Sequence, residues 1–182
     1  MKYEQSIIMK NGREALIRNA VYADGAEVFE VFTLAHAETD FLLSYPDENS
    51  YNIEQESEFL QNLTESPNAV ELIAIVDGKI VGSAGIDPVG HKYKVKHRAH
   101  FGITVLKDYW GLGLGRALTN ACIQCAVSAG YDQLELNVVA DNDRAISLYR
   151  SVGFVEFGRN PRGFNSRATG YQELISMLLS LK

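Results

Sequence analysis

The chain has 182 residues, 46% hydrophobic and 22% charged, with a formal net charge of −6, which suits one domain over 1–182 with a sizeable core. The acidic balance argues against a nucleic-acid surface and favours cationic partners. No apolar run reaches the length of a signal peptide or a membrane span, which points to a cytoplasmic protein away from membranes.

Ser6 to Lys10 and Arg13 to Asn19 flank Asn11-Gly12, a strong short-range turn signal, so the chain is expected to open with a β-hairpin. Asp24 is a candidate cap for a helix running to about Thr39, with Ala26, Phe29, Val31, Phe32 and Ala35 as its apolar positions. A loop from Phe41 to Asn52 leads to a second helix, Ile53 to Leu63, carrying Phe59, Leu60 and Leu63. Glu38, Asp40, Asp47, Glu48, Glu54, Glu56 and Glu58 lie among Phe41, Tyr45 and Tyr51 in this region. That mixture describes a solvated helix face, whose negative charge also suits a cationic partner.

Asp77-Gly78 sits between Ala69 to Val76 and Lys79 to Ile86, a second hairpin, and the first of these runs is apolar enough for a central strand. From His91 to Arg98 lysines recur at alternate positions, as on a strand with one charged face. Phe101 to Val105 is the next strand. A short polar connection, Lys107-Asp108, then precedes Trp110-Gly111-Leu112-Gly113-Leu114-Gly115 and a helix with Leu118, Ala121, Cys122 and Cys125 on one face. Glycines at a strand-to-helix junction let backbone approach a ligand, and the first helical turn offers unpaired N–H groups and a positive dipole end. The combination is an anion seat, most simply for phosphate. A dinucleotide fingerprint fails in both registers, because Arg116 or Leu118 falls where the last glycine belongs, and Arg116 also breaks a Walker loop.

Gly130 is a candidate helix stop, Gln133 to Val138 a buried strand, and Asp141 or Asn142 the cap of a helix bearing Ala145, Ile146, Leu148 and Tyr149 that ends at Gly153. Phe154 to Phe157 and Tyr171 to Leu178 make the last strands, joined by a polar connection, Gly158 to Gly170, that holds Arg159, Arg162 and Arg167. The two cysteines lie on an apolar helix stripe and suit core positions. The four histidines show no ligand spacing, so no metal is expected.

Two stretches resemble the GCN5-related N-acetyltransferase family. Trp110-x-x-Gly113-x-Gly115 fits its Gln/Arg-x-x-Gly-x-Gly/Ala turn, with Trp110 as a departure in the first position. Asn142-x-x-Ala145-x-x-Leu148-Tyr149-x-x-x-Gly153-Phe154 fits its second motif. The resemblance implies an α/β fold with a mixed, mostly antiparallel central sheet and helices on both faces. It implies acetyl-CoA as co-substrate, its pyrophosphate held by amides of Gly111, Leu112, Gly113, Leu114, Gly115 and Arg116. Backbone groups near Ile103, Thr104 and Val105 would pair with the pantetheine arm and the acetyl carbonyl, and Asn142 would contact the coenzyme or serve only as a cap. The nearest branch acts on small-molecule amines and amino acids, and a homodimer is common in the family.

Tyr149 stands where the family places a proton donor beside the sulfur, although a core tyrosine would look the same. The ribosomal-protein branch has a basic glutamate where this chain has Asn137, leaving Glu135 and His100 as candidates for the base, each also explicable as a surface or core-edge residue. An α-amino group costs only about 1 kcal/mol to deprotonate near neutrality and a lysine-like amine roughly 4. A site without an evident base therefore favours an amino acid acceptor, whose carboxylate Arg159, Arg162 or Arg167 could receive. A peptide N-terminus, or a non-catalytic acyl-CoA-binding module, are the other readings.

Overall fold

Asp77 and Gly78 both adopt the left-handed region, with φ of 50° and 78°, and this turn folds β3 (Val70–Val76) back on β4 (Lys79–Pro88). A computed structural model, describing residues 1–182, places these strands at the centre of an eight-stranded sheet. Its other members are β1 (Glu4–Ile8), β2 (Glu14–Asn19), β5 (Arg98–Val105), β6 (Gln133–Val139), β7 (Val155–Ser166) and β8 (Gly170–Ser180), in the order β1-β2-β3-β4-β5-β6-β8-β7. Every pairing is antiparallel except β5 with β6. The expected N-terminal hairpin is β1 with β2.

Four helices cover the sheet: α1 (Gly25–Glu38), α2 (Ile53–Glu65), α3 (Leu114–Ser128) and α4 (Asp143–Ser151). Side chains alternate between faces along β3, and the two cores follow that alternation. Leu72 and Ala74 join Leu118, Ala121, Cys122 and Cys125 of α3 in the larger core. Ile73 joins Val28, Val31 and Leu60 of α1 and α2 in the smaller one on the opposite face. The helices therefore lie on both sides, as the sequence implies.

Four local expectations need correction. Lys92 to His97 is not a strand: Val95 and Lys96 N–H both return to the Lys92 carbonyl at 2.9 Å, and pairing of β4 with β5 stops at Pro88 and Ala99. Alternate lysines here mark a solvated turn. Gly158 to Ser166 is not a connection but most of β7; an edge strand with bulges between Glu156 and Gly158 and between Asn160 and Phe164 needs no apolar run. Asp24 precedes α1 without capping it, because its carboxylate already accepts from Arg18 (2.7 and 2.8 Å) and from the Val21 N–H (2.8 Å). The buried stripe of α1 is Val28, Val31 and Ala35, while Ala26 faces solvent.

Candidate active site

The pairing of β5 with β6 is brief. It joins Arg98 to Gln133, Ala99 to Leu134 and His100 to Glu135, then ends. β5 continues along β4 as far as Val105, and β6 continues along β8 as far as Val139, so a gap opens between Phe101–Val105 and Leu136–Val139. The Leu106 N–H goes to the Val81 carbonyl at 3.0 Å. Backbone groups alternate sides along a strand, so Ile103 and Val105 turn theirs into the gap. A cavity of about 900 Å³ occupies it.

One end of the cavity is the glycine turn. Gly111 and Gly113 have φ of 78° and 94°, a conformation that costs other residues roughly 1 to 2 kcal/mol. The turn delivers the chain directly into α3, whose first intrahelical bond runs from Ala117 N–H to the Gly113 carbonyl (3.1 Å). The N–H groups of Leu114, Gly115 and Arg116 therefore have no helical partner, and no side chain caps them. This is the amide cradle an oxyanion requires. The Trp110 indole donates to the Val105 carbonyl at 2.7 Å, tying the turn to the end of β5. The Arg144 guanidinium lies 4.9 Å above the Trp110 ring. Lys10, Arg116 and Arg144 line this end of the cavity, and the Lys10 N–H is bonded to the Leu112 carbonyl at 3.0 Å. Lys10 and Arg144 carry no motif of their own; only the folding of the first hairpin against the turn, and of Arg144 onto Trp110, brings them to it.

Asn142 and Tyr149 both line the cavity. Asn142 Oδ1 accepts from the Ala145 N–H at 3.2 Å and so caps α4. Tyr149 is 7% exposed, packed edge-on to Phe101 with ring centroids 6.1 Å apart. Burial alone raises its pKa well above the ordinary phenol value, with no hydrogen-bonding group contributing. No buried side-chain oxygen is sealed without a partner, so this hydroxyl opens onto the cavity, protonated and free to donate.

The far end is apolar, lined by Thr39, Phe41, Leu42, Leu43, Phe164 and Leu174. Asp40 holds it together: its carboxylate accepts from Ser166 (2.5 Å), Tyr45 (3.0 Å) and Gln172 (3.2 Å), joining the α1–α2 loop to the hairpin of β7 and β8. Ser166 is the principal cause of the lowered Asp40 pKa. Asn137 also lines the cavity, accepting from Ser176 at 2.8 Å.

Glu135 and His100 do not line this space. Glu135 is 6% exposed, and Arg98 grips it with both Nε and Nη2, the latter at 2.6 Å. Hydrogen bonding to Arg98 holds its pKa below the usual range, which makes it a poor proton acceptor. His100 is exposed, opposite Asp87 on β4. Among the three arginines, Arg159 is paired with Glu156 and Glu173 and Arg167 with Asp47 and Glu48. Arg162 lies 4.8 Å over the Tyr171 ring. No group of histidines, cysteines and carboxylates could hold a metal, and no helix is long and apolar enough to cross a membrane.

Residues 32–154 match the model of the acetyltransferase (GNAT) family. The chain is 30% identical over 144 residues to L-amino acid N-acetyltransferase AaaT of Escherichia coli, covering 78% of this chain and 83% of that one. It is 31% identical over 156 residues to an N-alpha-acetyltransferase of Sulfurisphaera tokodaii, covering 81% and 84%. It spans only 22% of the length of one further curated relative. Among solved structures, an acetyltransferase of the GNAT family from Streptococcus pneumoniae superimposes with a TM-score of 0.87 at 30% identity over 91% of this chain and 99% of that one. Two further structures of this fold, 21% and 17% identical, hold acetyl-CoA.

Proposed function

We propose an acceptor and a chemistry from one premise: the chain belongs to the acetyltransferase (GNAT) family of N-acetyltransferases, whose acetyl donor is acetyl-CoA. The acceptor is the primary amine of a small molecule such as an amino acid, and it attacks the thioester directly while both substrates are bound. One observation carries this reading: the Tyr149 hydroxyl opens onto the same cavity as the unpaired amides at the start of α3.

The amides of Gly111 to Arg116, with Lys10, Arg116 and Arg144 around them, hold the diphosphate. The cleft-facing backbone of Ile103 and Val105 pairs with the pantetheine arm, as a strand would, and orients the thioester between β5 and β6, with Thr104 alongside and Asn142 at the coenzyme's flank. Tyr149 gives its proton to the departing thiolate. The amine enters from the end lined by Phe41, Leu42 and Phe164. Cys122 and Cys125 are buried in the core, with burial raising both thiols, so no thiolate is at hand to carry an acetyl group and direct attack is favoured.

Relatives acting on L-amino acids and on N-alpha positions both present an α-amino group, which supports an α-amine over a lysine-like one. The second of them also favours the alternative acceptor, a protein N-terminus. That alternative has a local feature in its favour, since Leu43 at the cavity mouth is 82% exposed and leaves room for a longer chain. Coenzyme A release measured with free amino acids, polyamines and short peptides tests both. We expect turnover with amino acids; turnover with peptides alone selects the alternative, and turnover with polyamines alone removes the α-amine reading.

A further inference from the structure

Resting on the acetyltransferase reading above, a proton acceptor for the amine is still needed, and another carboxylate occupies a place that Glu135 and His100 do not. Glu71 stands on β3, on the face covered by α1 and α2. It is in register with Gly85 on β4, and Gly85 is in register with Gly102 on β5. Two adjacent glycines leave a trough across the sheet. A methyl group on Gly85 would collide with Glu71 Oε2, so the carboxylate lies over that glycine, whereas the space over Gly102 is open to 4 Å. Gly102 lines the main cavity. Neighbouring strands are about 4.8 Å apart, a gap that one water spans.

A smaller cavity of about 360 Å³ lies along the same trough, lined by Glu71, Ser83 and Thr104, and Thr104 lines the main cavity as well. Thr104 on β5 therefore borders both spaces. We propose that Glu71 accepts the proton of the acceptor's ammonium group through one water lying over Gly85 and Gly102.

The surroundings suit the task. Glu56 from α2 and Glu48 from the α1–α2 loop line the same small cavity, and no lysine or arginine does. Asp87 follows on β4, facing His100 across the strand pair. Burial, with Asp87 and Glu56 adding to it and Ser83 opposing, raises the Glu71 pKa to about 7. A carboxyl group at that value exchanges a proton with an α-ammonium group at little cost and with a lysine at much greater cost. The proton balance closes. Glu71 removes one proton, the amine forms its C–N bond, and the C–S bond breaks as Tyr149 protonates the thiolate. The tyrosine recovers its proton from the new amide nitrogen, and Glu71 releases its own to solvent.

The test is Glu71→Gln, with kcat/KM measured from pH 6 to 9.5 and acetyl-CoA affinity as the control for folding. We expect about a five- to tenfold loss at pH 7, set by the share of an α-amine that is still protonated there, that narrows as pH rises and the amine sheds its proton unaided, with coenzyme affinity kept. Gly85→Ala, which pushes the carboxylate aside, should reproduce that pH-dependent deficit. A Glu71→Gln enzyme with wild-type rates at pH 7, or with a deficit equal at every pH, overturns the proposal while leaving the acetyltransferase reading intact. Failure of the wild-type protein to release coenzyme A with any amine removes both.

Discussion

The indole N–H of Trp110 is bonded to the carbonyl of Val105 at 2.7 Å, so the departure from the family's first motif position is also the tie between the glycine turn and the open end of β5. In Trp110→Phe the ring that Arg144 covers remains and only the donor is lost. A net hydrogen bond contributes about 1 kcal/mol, and a chain of this size then melts roughly 2 to 4 °C lower. Because the same bond fixes the spacing between turn and strand, acetyl-CoA should bind several-fold more weakly by calorimetry.

Gly113 and Gly12 separate the conformational role of a glycine from its role in binding. Both have positive φ, 94° and 81°, and a methyl group at either has free space or a contact no closer than 3.9 Å. Alanine at either site should therefore cost a similar 1 to 2 kcal/mol of stability. Only Gly113→Ala re-aims the amides that begin α3, so only that variant should lose acetyl-CoA affinity. Equal affinity losses in both would remove the turn from the binding site.

Tyr149→Phe removes a hydroxyl that no protein group needs. The melting temperature should stay within a degree or two and acetyl-CoA affinity within a few-fold, while kcat falls by about 10² or more. Retention of kcat would leave Tyr149 as a core aromatic beside Phe101 and nothing else.

What the sequence made legible follows from where the deciding forces are local. Asp77-Gly78, Gly130 and Gly153 mark turns because positive φ is decided residue by residue, and Asn142 marks a helix start because its bond to the Ala145 N–H spans three residues. Alternation on β3 and the helical stripe Leu118, Cys122, Cys125 report burial directly. Lys92 to His97 misleads because a solvated turn and a charged strand face call for the same side chains. Arg159 and Arg167 looked available for a substrate carboxylate because their partners, Glu173, Asp47 and Glu48, come from elsewhere in the chain. Glu71 was hidden for a related reason: its significance depends on Gly85 and Gly102, brought beside it only by strand register.

Glu135 should matter to stability and not to rate. Its pKa is lowered chiefly by hydrogen bonding from Arg98, so its contribution is fully present above the ordinary glutamate value and is lost as pH falls through the lower, folded-state value. Glu135→Gln leaves Arg98 with a neutral partner and should cost about 1 to 2 kcal/mol at pH 7, the Arg98 side chain being 34% exposed. The difference from the parent chain should vanish once the pH has fallen below that folded-state value. Unchanged kcat at pH 7 would accompany it; a loss of turnover out of proportion to the loss of stability would restore Glu135 as the base.

Asp40 sits between the two segments that frame the apolar end of the cavity, accepting from Tyr45 on one side and from Ser166 and Gln172 on the other. In Asp40→Ala the Ser166 hydroxyl, in a residue 8% exposed, loses its acceptor, and the α1–α2 loop is freed from the hairpin of β7 and β8. The glycine turn proposed to seat the diphosphate shares none of these contacts. The acceptor KM should therefore rise about tenfold or more, with the KM for acetyl-CoA within a factor of two or three. Because hydrogen bonding from Ser166 lowers the Asp40 pKa, the latch is complete above the ordinary aspartate value and opens only in acid, so acceptor binding should be insensitive to this group between pH 6 and 8. A parallel rise in both Michaelis constants would mean that the latch supports the whole cleft, and the acceptor would then have to enter elsewhere.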